Sequence, residues 1–280
     1  MIRLHEHLRA LGLSNSQAKD ALSSGKVHLC GVPTGDGGRL VDPATVSLRP
    51  NAPRLHPGAD LVLLYRDDAL GVIWKPPGML SVPAPRAGGH KNAVGLAGRI
   101  LGEAHIVHRL DEHTSGLLLV ARTVAAQTAL KALLEVHAVD RRYLAIVAGS
   151  APEGERRVSS VLRRDRGDGL RGSDPEGEEG KPAVTYLQLR ERLGPRYTLV
   201  AARLETGRTH QDRIHLAEQG LPLLGDPLYA PAGVARLWPR QALHAWSLAF
   251  RHPFTRQELR FEAPLADDLE QLRRRILAST

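Results

Sequence analysis

The sequence predicts an α+β fold: a mixed, largely antiparallel β-sheet with flanking helices, preceded by a small module of two helices and short strands. Three observations predict it. Apolar runs of strand length outnumber helical stretches and mostly follow one another in series, which favours antiparallel neighbours over alternating βαβ units. The first fifty residues carry leucines at helical spacing, closed by capping signals. Between these regions Pro50, Pro53, Pro57 and Gly58 cluster as linker residues do. The expected organisation is a module over 1–50, a linker over 51–59 and the large domain over 60–280.

Leu4, Leu8 and Leu11 recur on one face of a first helix. Ser14 and Gln17 form a capping box for a second helix, whose inner face continues through Ala18 and Leu22. Gly25 follows where a left-handed cap is wanted. Val27 and Leu29 alternate as in a half-buried strand, residues 31–35 form a turn, and residues 45–49 form another short strand. From Asp60 on, strands are expected at Leu61–Tyr65, Gly71–Trp74, Ile106–Val107, Gly116–Ala121, Tyr143–Val147, Val184–Leu189 and Tyr197–Leu204. Leu243–Phe250 and Glu258–Glu262 form a closing hairpin around His252-Pro253. Helices are expected at Asn92–Leu101, Thr123–Val136, Thr209–Gln219 (capped by Gly220) and Ala266–Ile276. The acidic, glycine-rich run Asp165–Gly180 reads as a loop.

Composition narrows the function. Only 4% of the residues are aromatic, so the core is aliphatic. Cys30 is the one cysteine, which allows no internal disulfide and suits a reducing cytoplasm. No apolar run is long enough to span a membrane. The N-terminus lacks the apolar core of a secretory signal. A net charge of +8 favours polyanionic partners, nucleic acid above all. Cofactor fingerprints such as GxxxxGK[ST] and GxGxxG are absent.

Three segments concentrate chemistry-bearing side chains. His108-Arg-Leu-Asp111 joins a strand to an apolar run, at a loop of the kind that displays functional groups. Gly207-Arg-Thr-His-Gln-Asp-Arg213-Ile-His215 places two Arg and two His at a helix start, where anions bind well. His210 and His215 are five apart, do not share a helix face and have no partner pattern for metal, so no metal site is expected. Lys75-Pro-Pro-Gly78 puts a cation before a rigid turn.

Together and in this order these segments resemble the RluA-type RNA pseudouridine synthases, within the RsuA/RluA-like superfamily. Residues 108–121 match the family pattern HRLDxxTSGLLLxA at every fixed position. Residues 207–216, followed by Gly225-Asp226-x-x-Tyr229, resemble its second motif. Residues 75–78, 142–149 and 243–253 resemble its opening turn, tyrosine strand and terminal hairpin. The resemblance covers about residues 60–265. The first fifty residues resemble an S4-type RNA-binding module through Arg3-Leu4, Ser14, Ala18-Lys19, Gly25, Val27 and Gly31.

The resemblance implies an isomerase that breaks the uridine glycosidic bond, turns the base and rejoins it through carbon, without a cofactor. It implies Asp111 as nucleophile, Arg213 as the cation that keeps it ionised, and Tyr143 as the residue against the target base and a candidate general base. A tyrosine is a poor base at neutral pH unless a basic neighbour such as Arg142 assists. Arg109 is implied to fill the stack beside the flipped base; its alternative is an ion pair with Asp111 or Glu112. Lys75, Arg208, His210 and Gln211 complete the expected substrate contacts. The expected partner is RNA, ribosomal RNA ahead of transfer RNA, for a cytoplasmic monomer. Three departures stand out: Asp212 replaces an apolar residue between Gln211 and Arg213, and the N-terminal module has His5 for the usual Asp and Asn15 for a common Arg. Asp212 leaves open a second reading, a catalytically silent RNA-binding protein that acts as a ribosomal RNA chaperone.

Overall fold

The computed structural model describes residues 1–51, 60–83 and 91–279. Pro53, Pro57 and Gly58 of the expected linker lie outside the described residues. Two units are distinguished: residues 1–127 with 262–271, and residues 128–261 with 272–280.

The first unit begins with β1 (Ile2–Arg3), α1 (Leu4–Ala10) and α2 (Asn15–Ser23). The capping box of α2 is complete: Ser14 Oγ accepts from the Gln17 N–H at 3.2 Å, and the Ser14 N–H donates to Gln17 Oε1 at 2.8 Å. Gly25 has φ +70°, the left-handed cap expected of it. Leu11 departs from expectation. It is the C-cap of α1 and is 54% exposed, because the helix ends one residue before a third inward leucine is needed. β2 (Val27–Leu29) lies between β3 (Val32–Pro33) and β5 (Val46–Leu48), and β4 (Leu40–Val41) pairs with β1. Leu4, Leu8, Ala18, Leu22, Val27 and Leu29 form a core of their own beneath these strands. Asp267 ties this region to the start of α7 (Asp267–Ala278), accepting from Thr34 Oγ1 at 2.7 Å and from the Gly35 N–H at 2.8 Å.

The rest of this unit is an antiparallel set with order β6 (Val62–Arg66), β7 (Leu70–Lys75), β9 (Ser115–Ala121) and β8 (His105–Ile106). β7 and β9 are buried at every position, so both strand faces are covered and the sequence reads as a continuous apolar run. α3 (Ala93–Leu101) starts at Asn92, whose Oδ1 accepts from the Gly95 N–H at 2.9 Å.

In the second unit the strand order is β12 (Gly172–Ser173), β11 (Glu155–Arg163), β13 (Lys181–Arg192), β14 (Tyr197–Leu204), β10 (Val139–Ala148), β15 (Leu243–Arg251), with β16 (Glu258–Glu262) on β15. The pairings given by register are antiparallel. β11 and β12 were not expected. Burial in β11 is irregular, so period-two alternation carries no signal there. α4 (Val124–Glu135), α5 (Gln211–Glu218) and the short α6 (Ala232–Ala235) complete the elements. His252 Nδ1 closes the terminal hairpin, accepting from the Phe254 and Thr255 N–H groups at 3.2 and 3.0 Å. Among the described residues no helix is long and apolar enough to cross a membrane, and no group of three acidic, His or Cys side chains could hold a metal.

Candidate active site

Asp111 sits on the loop between β8 and β9, half-buried. Its two chain neighbours are both fastened. On one side, Ser81 Oγ donates to the Leu110 carbonyl at 2.7 Å and accepts from the Leu110 N–H at 3.0 Å. On the other, the Glu112 carbonyl accepts from Lys75 Nζ and from the Gly78 N–H, each at 2.9 Å. The Asp111 carbonyl itself accepts from the Thr114 N–H at 3.1 Å, closing the turn into β9. His108 holds the base of the loop, its Nε2 accepting from the Leu119 N–H at 3.1 Å. A carboxylate is thereby presented on a loop whose backbone is fixed on both sides. Such a loop supplies a reacting group at little ordering cost.

Lys75 corrects an expectation. It is 0% exposed, and besides Glu112 its ammonium donates to the carbonyls of Pro76 at 2.9 Å and Met79 at 2.7 Å. It braces the turn that holds the Asp111 loop and does not line an RNA-facing groove. Arg109 is exposed and makes no ion pair among the described residues, so the alternative pairing with Asp111 or Glu112 is not formed.

In the second unit Tyr143 lies on β10, opposite Ala202 of β14 and Ala245 of β15. Small residues on both sides leave room for the ring. Next to it β15 carries a bulge: Arg142 pairs with Ser247 and Tyr143 with Ala245, leaving Trp246 as the extra residue. Alternation along β10 places Arg142 on the face away from Tyr143, in an ion pair with Asp140 at 2.8 Å. Arg142 is therefore not the basic neighbour expected for Tyr143. Arg141, buried at 7% exposure, is a cation on the tyrosine's own strand face.

The turn from β14 into α5 is organised by Gln211, which is 1% exposed. Its Oε1 accepts from Thr206 Oγ1 at 2.7 Å and the Arg208 N–H at 3.0 Å. Its Nε2 donates to the Val184 carbonyl and Thr185 Oγ1, both at 3.0 Å. All of its hydrogen-bonding capacity is spent inside the protein, so Gln211 shapes the turn and does not reach a substrate. Arg208 is partly exposed, with Nε donating to the Pro182 carbonyl at 3.0 Å. His210 adopts φ +60° as the N-cap of α5, and its Nδ1 lies 2.8 Å from Tyr229 Oη.

Arg213 is almost wholly enclosed. Nε donates to Asp226 Oδ2 at 2.8 Å and Nη2 to Asp226 Oδ1 at 2.7 Å, a two-pronged pair in which both side chains are under 5% exposed. Its Cζ lies 5.1 Å from the Tyr229 ring centroid. Burial pushes the Asp226 carboxyl up. The Arg213 hydrogen bonds and charge, with the Leu228 and Tyr229 N–H groups, outweigh it and leave the carboxyl below its ordinary value. Gly225 precedes it at φ +74°, and a Cβ there would lie 2.0 Å from the Arg240 carbonyl oxygen, so only glycine brings Asp226 to this position. His215 is also internal, 2.8 Å from Thr185 Oγ1 and 3.0 Å from Ser160 Oγ, with burial pushing its pKa down.

Asp226 and Tyr229 were legible only as motif residues, and Ser81 had no signal at all. Asp212 is buried, with Oδ1 accepting from the Arg213 N–H at 3.0 Å in the first turn of α5.

A model of the family described as RNA pseudouridylate synthase matches residues 70–218. The chain is 42% identical over 231 residues to the ribosomal large subunit pseudouridine synthase D of Xanthomonas campestris pv. campestris, covering 76% of this chain and 68% of that protein. It is 34% identical over 296 residues to the protein of the same description from Zymomonas mobilis subsp. mobilis, covering 95% of this chain and 90% of that one. Among solved structures it resembles human RNA pseudouridylate synthase domain containing 1, with a TM-score of 0.62 at 24% identity over 80% of this chain and 98% of that one, a likeness of fold.

Proposed function

The chain belongs to the RNA pseudouridylate synthase family, whose members are isomerases, and from that premise we propose that it converts uridine to pseudouridine in large-subunit ribosomal RNA with Asp111 as the nucleophile. The observation that carries the reading is the Asp111 loop, fastened on one side by Ser81 and on the other by Lys75 and Gly78. The choice of RNA rests on the relatives described as ribosomal large subunit pseudouridine synthase D.

In this reading the target uridine is flipped out of its stack, at a cost of a few kcal/mol, and Arg109 fills the gap. Its exposure and lack of an ion pair among the described residues suit that role. Asp111 attacks C1′ of the sugar as the N1–C1′ bond breaks and the electron pair goes to the base. The base turns, carbon 5 attacks C1′ and displaces the Asp111 carboxylate, the carbon-5 proton leaves to a base, for which Tyr143 is the candidate, and nitrogen 1 takes up a proton. Arg213 supplies positive charge to the reacting centre, oriented by Asp226. Arg208 and His210 contact the RNA backbone near the start of α5. The rearrangement is internal to the nucleotide and calls for neither redox nor energy input. The S4-like region over residues 1–50 adds RNA affinity through Arg3 and Lys19.

Tritium release from uridine labelled at carbon 5 tests the reading, with unmodified ribosomal and transfer RNA offered separately. Release from large-subunit ribosomal RNA alone is the expected result. Release from transfer RNA alone would move the substrate, and tight RNA binding without release from either would replace the enzyme by an RNA-binding chaperone.

A further inference from the structure

The buried cation Arg141 has no place in the reaction scheme above. It is 7% exposed, and burial pulls its pKa down. Among the described residues Nε has no hydrogen-bond partner. Among the described residues its guanidinium makes one hydrogen bond, a long one, from Nη2 to the Glu205 carbonyl at 3.5 Å. A guanidinium buried with an unserved Nε–H and one long hydrogen bond is costly, so neighbouring charge matters at this point. The backbone is shaped around it: a Cβ on Gly207 would lie 2.5 Å from Arg141 Nη1, and glycine is what lets the guanidinium pass beneath the turn into α5.

Three charged or titratable groups act on Arg141. Tyr143, two residues along on the same strand face and 5% exposed, favours the guanidinium charge when its phenol is deprotonated. Asp212 of α5 is the second, and Arg208 of the preceding turn opposes both. On the paired strands the register partners of Arg141 and Tyr143 are uncharged: Leu204 and Ala202 on β14, and Leu248 and Ala245 on β15.

We propose that Arg141 is a positioning residue for the isomerisation, a buried cation that favours the deprotonated phenol of Tyr143, with Asp212 as the carboxylate that limits its charge. The coupling is reciprocal: whatever phenolate stabilises the guanidinium is itself stabilised by it. Placed beside such a cation, a tyrosine can act as the base that its ordinary pKa near 10 would otherwise prevent at neutral pH. Asp212 then has a role beside this cation. The buried Arg141 charge keeps a carboxylate opposite it, and a neutral residue there leaves that charge fully on Tyr143. The inference rests on Tyr143 being the base proposed above.

The test compares Arg141→Gln, Arg141→Lys and Asp212→Asn with the full-length protein. One readout is the pH profile of kcat on carbon-5-labelled RNA, with KM. The other is the ultraviolet titration of Tyr143, taken as the difference from Tyr143→Phe. In Arg141→Gln the titration moves to higher pH. Turnover at neutral pH falls by about ten- to a hundredfold, recovers as pH rises, and KM is unchanged. Arg141→Lys restores most of the loss, and Asp212→Asn moves the titration the opposite way. If Arg141→Gln instead raises KM and leaves the profile and titration in place, Arg141 is a phosphate contact and the proposal fails. It also fails if both readouts are unmoved. Should Arg141→Gln not fold, Arg141→Lys and Asp212→Asn decide by the titration alone. Full activity in Tyr143→Phe with the titration shifts intact would reject Tyr143 as the base while leaving the electrostatic coupling standing.

Discussion

Ser81 offers a sharp check on how Asp111 is held. Its hydroxyl, at 3% exposure, serves both backbone groups of Leu110, donating at 2.7 Å and accepting at 3.0 Å. Ser81→Ala removes one oxygen and leaves a buried N–H and a buried C=O unserved. Each such group costs about 1–3 kcal/mol. Partial entry of water lowers the sum, so the variant should lose about 2–4 kcal/mol, a fall in Tm of roughly 5–10 °C. The effect on chemistry should exceed the effect on binding, because the side chain that moves is the adjacent carboxylate. Turnover is expected to fall by about tenfold or more with RNA affinity retained, since small misplacements of a reacting group are expensive. Thermal unfolding gives the first number, and single-turnover kinetics with filter binding gives the second. Unchanged Tm together with unchanged turnover would show that the Ser81–Leu110 clasp does not hold the Asp111 loop.

Two further outcomes follow from the buried groups of the second unit. Asp226→Asn leaves Arg213 buried without its anion and should cost about 3–5 kcal/mol, read by denaturant unfolding. The wild-type Asp226 carboxyl is depressed in the folded state, so its contribution is present above the ordinary carboxylate pKa and lost as pH falls through the folded value. The Asn variant should show less acid sensitivity in that window. His215 is held neutral by burial, with its folded pKa below the ordinary value. Its contribution is present above about pH 6.5 and lost as pH falls through the lowered value, so His215→Gln should flatten the Tm-against-pH curve on the acid side of 6.5.

Sequence reasoning read local structure well where a local signal exists. Ser14 and Gln17 mark the start of α2 because a capping box is a four-residue device. β7 and β9 show as apolar runs because both of their faces are covered. It failed where the determinant is non-local. β11 owes its existence to pairing with β13, and its own residues alternate poorly. Lys75 and Gln211 look like substrate contacts in one dimension because they are polar residues inside motifs. Only the fold shows that their donors and acceptors are consumed by backbone carbonyls and neighbouring hydroxyls. The same applies to Tyr143: a basic residue stands immediately before it in sequence, but strand alternation gives its face to Arg141 and sends Arg142 to Asp140. Asp226 was visible as a motif letter, thirteen residues from Arg213, and its role as the partner of that guanidinium is a tertiary fact.

Whether Asp111 is the nucleophile is decided by single-turnover tritium release from carbon-5-labelled large-subunit ribosomal RNA by the wild type and by Asp111→Asn, with RNA affinity measured alongside. Asn keeps the shape of the side chain and removes the nucleophilic oxygen charge. The wild type should release tritium, the variant should release none above background, and both should bind RNA equally. Release by Asp111→Asn at a comparable rate would contradict that assignment and place the nucleophile elsewhere in the chain.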